Sequence, residues 1–199
     1  MTSLAYKAAA TLVIFDGQSL NNNPYGAAST AWPYKLMDGT GVPYGEVWVG
    51  GEPFSVLAAT ETDRLSKYAN AATLVCLSMM GDTTSIALGA AATTVYSTRQ
   101  TYAADARTLG CNKVIGFTLQ PSSDFSAAEE TQRQSLNALI IANSGGSFDA
   151  VVDLTTDSRL ESNPADTTYY IDGTHMTPAA HTIVADLARP VFVAAGLIT

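Results

Sequence analysis

Thr11-Leu-Val-Ile-Phe-Asp-Gly-Gln-Ser-Leu20 is the stretch on which the fold turns. Five β-branched, aliphatic or aromatic residues run without interruption into Asp16-Gly17, as in a strand buried on both faces that ends in a sharp turn. Such strands belong to parallel sheets, whose neighbours must be joined by crossover segments. The apolar run begins at Ala8, just after Lys7, and spans eight residues to Phe15. That is the length of a signal peptide's apolar core, yet cleavage there would endanger Ser19, so a first strand is the preferred reading.

The rest of the chain supplies the crossovers. A short helix is expected at Trp32 to Met37 and a second strand at Glu46-Val-Trp-Val49 before Gly50-Gly51. A helix over Ser55 to Tyr68 leads to a third strand, Thr73-Leu-Val-Cys-Leu77. An Ala-rich helix over Ser85 to Leu109 should stop at Gly110, and Lys113 to Leu119 is a fourth strand. Ser126 followed by Glu129 is a capping-box pattern for a helix to about Asn143. Ala150-Val-Val-Asp-Leu154 is a fifth strand, and Pro178 to Ala195 a last helix with proline in its first turn. Strands alternating with helices indicate a parallel sheet covered on both faces, with its sites beyond the carboxyl ends of the strands. Ser19, Gly50-Gly51, Gly81 and the pair Asp172/His175 all fall there.

At 199 residues and 47% hydrophobic content, one substantial core is affordable and two ordinary domains are not, so residues 1–199 are read as a single domain. Ten basic residues against 18 acidic give a formal charge of −8, with no basic patch. Nucleic acid and anionic membranes are therefore poor partners. No window offers the ~20 apolar residues of a membrane span, and a soluble molecule is expected, its compartment undetermined. Cys76 and Cys111 lack neighbouring ligands, so two free buried thiols and no metal site are expected.

Asp172-Gly-Thr-His175 and Ser19 together hold the three side chains that hydrolytic acyl transfer requires. Serine needs a base within about 2.6–3.2 Å, for which His175 is the candidate, with Asp172 to orient the ring. His181, inside the last helix, is read as structural, and Asp153 as a capping or loop-ordering acid.

At these residues the chain resembles the SGNH hydrolases, also called GDSL esterases and lipases. Gly17-Gln18-Ser19-Leu20 matches the family's Gly-Asp-Ser-Leu block with Gln for Asp, a variation similar to the carbohydrate acetylesterase branches. Asp172-Gly-Thr-His175 matches the last block, and Gly51 the glycine that ends the second. The third block departs: Gly81-Asp82-Thr83-Thr84 stands where the family has Gly-x-Asn-Asp, so Thr83 replaces the asparagine. The resemblance implies an α/β fold, a three-layer α/β/α sandwich whose five-stranded parallel sheet has the flavodoxin-like order 2-1-3-4-5. It implies catalysis by Ser19, Asp172 and His175 without a cofactor, and an oxyanion hole from the backbone N–H groups of Ser19 and Gly51; the Thr83 hydroxyl is the candidate third donor in place of the family's asparagine. Asn21, Asn22 and Gln120 are alternatives for the missing amide.

Gln18, Asn21, Trp48 and Tyr170 are candidate substrate contacts, and Tyr25, Trp32 and Tyr169 further aromatics that could ring the site and stack on sugar faces. Compact loops without a long apolar lid favour a small acyl group. The expected activity is hydrolysis of short acyl esters, acetyl first, on a carbohydrate or similar alcohol. The competing function is a weakened carbohydrate-binding or structural module. A flavodoxin or phospho-receiver role fits poorly, since the loop after the first strand is no phosphate loop and Asp16 is a single acid.

Overall fold

The structure is a computed structural model that describes residues 11–23, 25–68, 74–161 and 163–199. The expectations for residues 1–10, which include the start of the first apolar run, and for Thr73 lie outside the described residues.

Strand β1 (Thr11–Gly17) is central to the sheet, with Val13, Ile14 and Phe15 fully buried. On one side it pairs in parallel with β2 (Tyr44–Glu46), Val13 opposite Tyr44. On the other it pairs along its whole length with β3 (Leu74–Met80), from Thr11↔Leu74 to Gly17↔Met80. Strands β4 (Cys111–Phe117) and β5 (Ala150–Val152) complete an all-parallel sheet of order β2-β1-β3-β4-β5. The chain leaves β1 toward β2 and returns to β3 on its far side. The gap beyond the carboxyl ends of β1 and β3 is thus a topological switch point, where open sheets of this kind form clefts.

Helices α1 (Trp32–Met37) and α8 (Pro178–Ala194) pack on each other, α2 (Phe54–Ala59), α3 (Glu61–Leu65), α5 (Ala92–Thr108) and α6 (Ala127–Ala142) form the second helical layer, and α7 (Ser158–Glu161) is a single turn after β5. One apolar core joins both layers to the sheet, with Phe15 edge-on to Trp32 at 5.1 Å and stacked with Phe192 at 6.2 Å. Burying each such ring stabilises the fold by about 1.5–3 kcal/mol.

Several boundaries differ from the sequence expectation, each for a local reason. The segment predicted as one helix over 55–68 is split at Thr60 into α2 and α3. The Ala-rich helix begins two residues early as α4 (Thr83–Ala87) and breaks before α5. Gly89, at φ +82°, ends α4 in a left-handed turn that residues with a Cβ avoid. The second strand lies earlier than Glu46–Val49, although Val47 and Val49 still donate to Phe15 and Gly17 of β1 at 3.0 and 2.9 Å. Strand β4 ends at Phe117 and β5 at Val152, where Leu154–Thr156 turns into a 3-10 helix. The capping box at α6 forms on both sides, Glu129 N–H to Ser126 Oγ and Ser126 N–H to the Glu129 carboxylate.

Candidate active site

Gly17 closes β1 at φ +150°, where a Cβ would stand 2.5 Å from the Met80 carbonyl oxygen of β3. Only glycine lets the two strand ends stay paired while the chain turns into the 3-10 helix Ser19–Asn21. Ser19 is the first residue of that turn, so its N–H has no intrahelical acceptor.

Its hydroxyl lies 3.0 Å from Nε2 of His175, and Nδ1 of that ring lies 2.8 Å from Oδ2 of Asp172. Asp172 and His175 share one loop, braced by an antiparallel bridge between Tyr170 and Met176. Within it Asp172 Oδ1 accepts from the backbone N–H groups of Thr174 and His175, at 3.0 and 2.8 Å. Gly173, at φ +83°, supplies the reversal. The Ser123 N–H donates to the Gly173 carbonyl at 2.9 Å, and the hydroxyls of Ser122 and Thr174 meet at 2.5 Å, tying the loop to the segment after β4.

Burial works to raise the Asp172 carboxyl. Hydrogen bonds from the His175 backbone and ring, the Thr174 backbone and the Tyr25 hydroxyl outweigh it and hold the group well below the usual carboxylate range. Tyr25 donates to Asp172 Oδ2 at 2.9 Å and sets its ring edge-on to His175 at 5.6 Å. Its place beside the acid was invisible in the sequence, because 147 residues separate the two.

A cleft of about 450 Å³ opens over Ser19 and His175, with Gly50, Gly51, Thr83 and Gln18 on its walls. Gly51 takes φ +74°, a conformation that suits glycine. Gly50 lies close enough to Ser19 that a Cβ on it would be 3.7 Å from Ser19 Cβ. Thr83 is 8% exposed, and its Oγ1 is buried with no hydrogen-bond partner among the described residues. Behind it Asp82 and Arg99 form an ion pair with both side chains fully buried, and Arg99 also donates to the Phe117 carbonyl at 2.8 Å.

The structure corrects other expected contacts. Tyr170 has no exposed surface and donates to the Leu160 carbonyl, so it is a core residue. Asn21 is fully buried and outside the cleft lining, as is Gln120; the amide atoms of both lack partners among the described residues. Asn22 accepts from the Asn23 N–H at 2.8 Å and does not line the cleft. Trp32 is enclosed in the core. Gln18 does reach the cleft, though its amide donates to the Glu52 carbonyl. Trp48 is half-buried, its ring 3.6 Å from where a Gly50 Cβ would stand, so it flanks the rim without lining the cleft. Tyr169 is partly buried against the core.

His181 is buried in α8 and accepts the Trp32 N–H at Nδ1, 3.3 Å. Burial pulls its pKa down to about 4, so it stays neutral at pH 7. Asp153 orders its own turn, accepting from the N–H and hydroxyl of Thr155 at 3.0 and 2.7 Å. Cys76 and Cys111 are buried and unbridged. Burial pushes the Cys111 thiol up to about 12 and the Cys76 thiol further, so neither forms a thiolate readily near neutrality. Among the described residues no group of His, Cys, Asp and Glu is arranged to hold a metal ion, and no helix is long and apolar enough to cross a membrane.

Three solved structures with this architecture place the fold among known proteins. A member of the lipolytic protein G-D-S-L family from Veillonella parvula superposes with a TM-score of 0.76 at 19% identity, covering 92% of this chain and 99% of that one. A catalytic mutant of Axe2, an acetylxylan esterase from Geobacillus stearothermophilus, gives 0.70 at 12% identity, over 91% and 93%. A GDSL-like lipase from Bacteroides thetaiotaomicron gives 0.67 at 18% identity, over 92% and 88%. No protein-family model matches the chain, and no curated protein does. At such identities the likeness establishes the fold: the chain has the three-layer architecture of the GDSL lipolytic proteins.

Proposed function

We propose that this protein is a serine esterase that removes a short acyl group, acetyl first, from a carbohydrate or similar alcohol. The observation that carries the proposal is the unbroken line from Ser19 Oγ through the His175 ring to Asp172, opening on a cleft.

In this mechanism His175 Nε2 takes the Ser19 proton as the oxygen attacks the ester carbonyl. The imidazolium that forms is stabilised by Asp172, which stays ionised. Negative charge developing on the carbonyl oxygen is met by the N–H groups of Ser19 and Gly51 and by the Thr83 hydroxyl. That hydroxyl has no competing partner among the described residues, and, being buried, it must turn toward the cleft to reach the oxygen. His175 then hands its proton to the departing alcohol, and water repeats the sequence on the acyl-enzyme. Gln18 and the Trp48 ring at the rim are the candidate contacts to a sugar. The Axe2 likeness is in keeping with an acetyl ester.

The test is hydrolysis of p-nitrophenyl acetate by the parent protein and by Ser19→Ala. Loss of turnover in a folded variant supports the reading, and equal rates overturn it. Labelling of Ser19 by a fluorophosphonate separates an active site from a binding module that has lost its chemistry.

One observation favours a longer acyl group. Leu88, 72% exposed, lines both the cleft and a neighbouring hollow of about 220 Å³ that includes Phe54, Ala90 and Val95. Rates across acetyl, butyryl and octanoyl aryl esters decide between the two, and a maximum at octanoyl would replace acetyl as the substrate.

A further inference from the structure

Asp124 lines the same cleft as Ser19 and His175. Its Oδ2 accepts from the Thr174 hydroxyl at 3.1 Å, which places the carboxylate beside the residue that precedes His175. Asp124 itself is exposed. Among the described residues it has no ion-pair partner, and no Lys or Arg lines the cleft. The one charged partner near the third block, Arg99, is buried and committed to Asp82.

The chemistry assigns a side to this charge. A leaving alcohol must receive its proton from His175 Nε2, so the alcohol half of the ester has to extend toward the His175 loop. That is where Asp124 and Thr174 stand. The part of the lining that α4 supplies, Thr83, Thr84 and Ala87 with Leu88 just after it, is uncharged and includes the apolar Ala87 and Leu88, which suits the acyl half.

We propose that Asp124 makes the cleft select its ester by the charge of the alcohol moiety, cationic over neutral over anionic. The carboxylate attracts a cation, accepts from the hydroxyls of a neutral polyol, and repels a carboxylate or phosphate. The inference rests on the esterase reading and adds to it a class of alcohols that is refused.

Three acetate esters test it, matched in acyl group and size: acetylcholine, its neutral analogue 3,3-dimethylbutyl acetate, and an anionic 3-acetoxypropionate. The quantity to follow is the ratio of kcat/KM for the cationic ester to that for the anionic one. A unit charge several ångströms from a second one in water is worth a several-fold effect, so Asp124→Asn should lower the ratio about tenfold and Asp124→Lys should lower it further. The asparagine keeps an acceptor for Thr174, so a role confined to bracing the loop would shift all three esters together and leave the ratio alone. In the unmutated protein the ratio should shrink as salt rises from low to about 1 M, because exposed charges are screened. A ratio that neither variant nor salt moves overturns this inference while the esterase reading stands. Failure of the unmutated protein on all three overturns this inference, and failure on the aryl acetate, butyrate and octanoate as well overturns both.

Discussion

The backbone N–H of His175 donates to Oδ1 of Asp172 at 2.8 Å, while its ring Nδ1 lies 2.8 Å from Oδ2. One carboxylate therefore fixes both the turn and the imidazole it carries. Asp172→Asn keeps an acceptor for the turn but presents an amide to the ring and disturbs its tautomer. Turnover should fall roughly 10²–10⁴-fold with a modest loss of Tm at neutral pH, measured on an aryl acetate and by thermal melting. Asp172→Ala should lower Tm as well. Since the carboxyl is depressed, its contribution to stability is complete above its unfolded pKa of about 3.9 and is lost only as pH falls below that.

Thr83→Val removes the hydroxyl and little volume. That hydroxyl is buried without a partner among the described residues, so stability should hold or rise slightly. If it donates to the oxyanion, kcat should fall roughly 10–10³-fold, the range for loss of one such donor. An unchanged kcat would restrict Thr83 to packing.

Arg99→Ala leaves Asp82 buried without its counter-charge directly behind Thr83. Destabilisation of about 3–5 kcal/mol is expected in denaturant unfolding, the range for breaking a buried pair from one side.

Glu61 is buried with neither carboxylate oxygen partnered among the described residues. Burial first, then the charges of Asp105 and Asp16, push its pKa up to about 8. Because the folded value lies above the unfolded one, stability is greatest below about pH 4.5 for this group and is lost as pH rises toward 8. The penalty at pH 7 is about 3 kcal/mol. Glu61→Gln should therefore stabilise the protein more at pH 8 than at pH 5, read from Tm at both values.

The sheet was legible in the sequence because most of its buried parallel strands carry apolar runs; β2, which reads Tyr-Gly-Glu and is only half-buried, left none, and the run taken for it lies just past its end. Helix breaks were harder to see. Thr60 looks like any polar helical residue, and Gly89 in an Ala-rich run is a helix interruption only once its φ is known. Candidate contacts fared unevenly for a similar reason. Tyr170 and Asn21 each lie two residues from a candidate catalytic side chain, yet both are fully buried.

What the sequence determined by itself was the order of elements and the identity of a serine, a histidine and an acid at strand ends, since these follow from local periodicity and spacing. That Ser19 and His175, 156 residues apart, stand 3.0 Å from each other was decided by the parallel β1–β3 pairing and the loop brace at Tyr170 and Met176. The same holds for Tyr25 on Asp172, for the Thr83 hydroxyl, unpartnered among the described residues, and for the Asp124 carboxylate in the cleft. Hydrogen bonds and charge interactions act over a few ångströms of space, and only the folded chain sets which residues share that space.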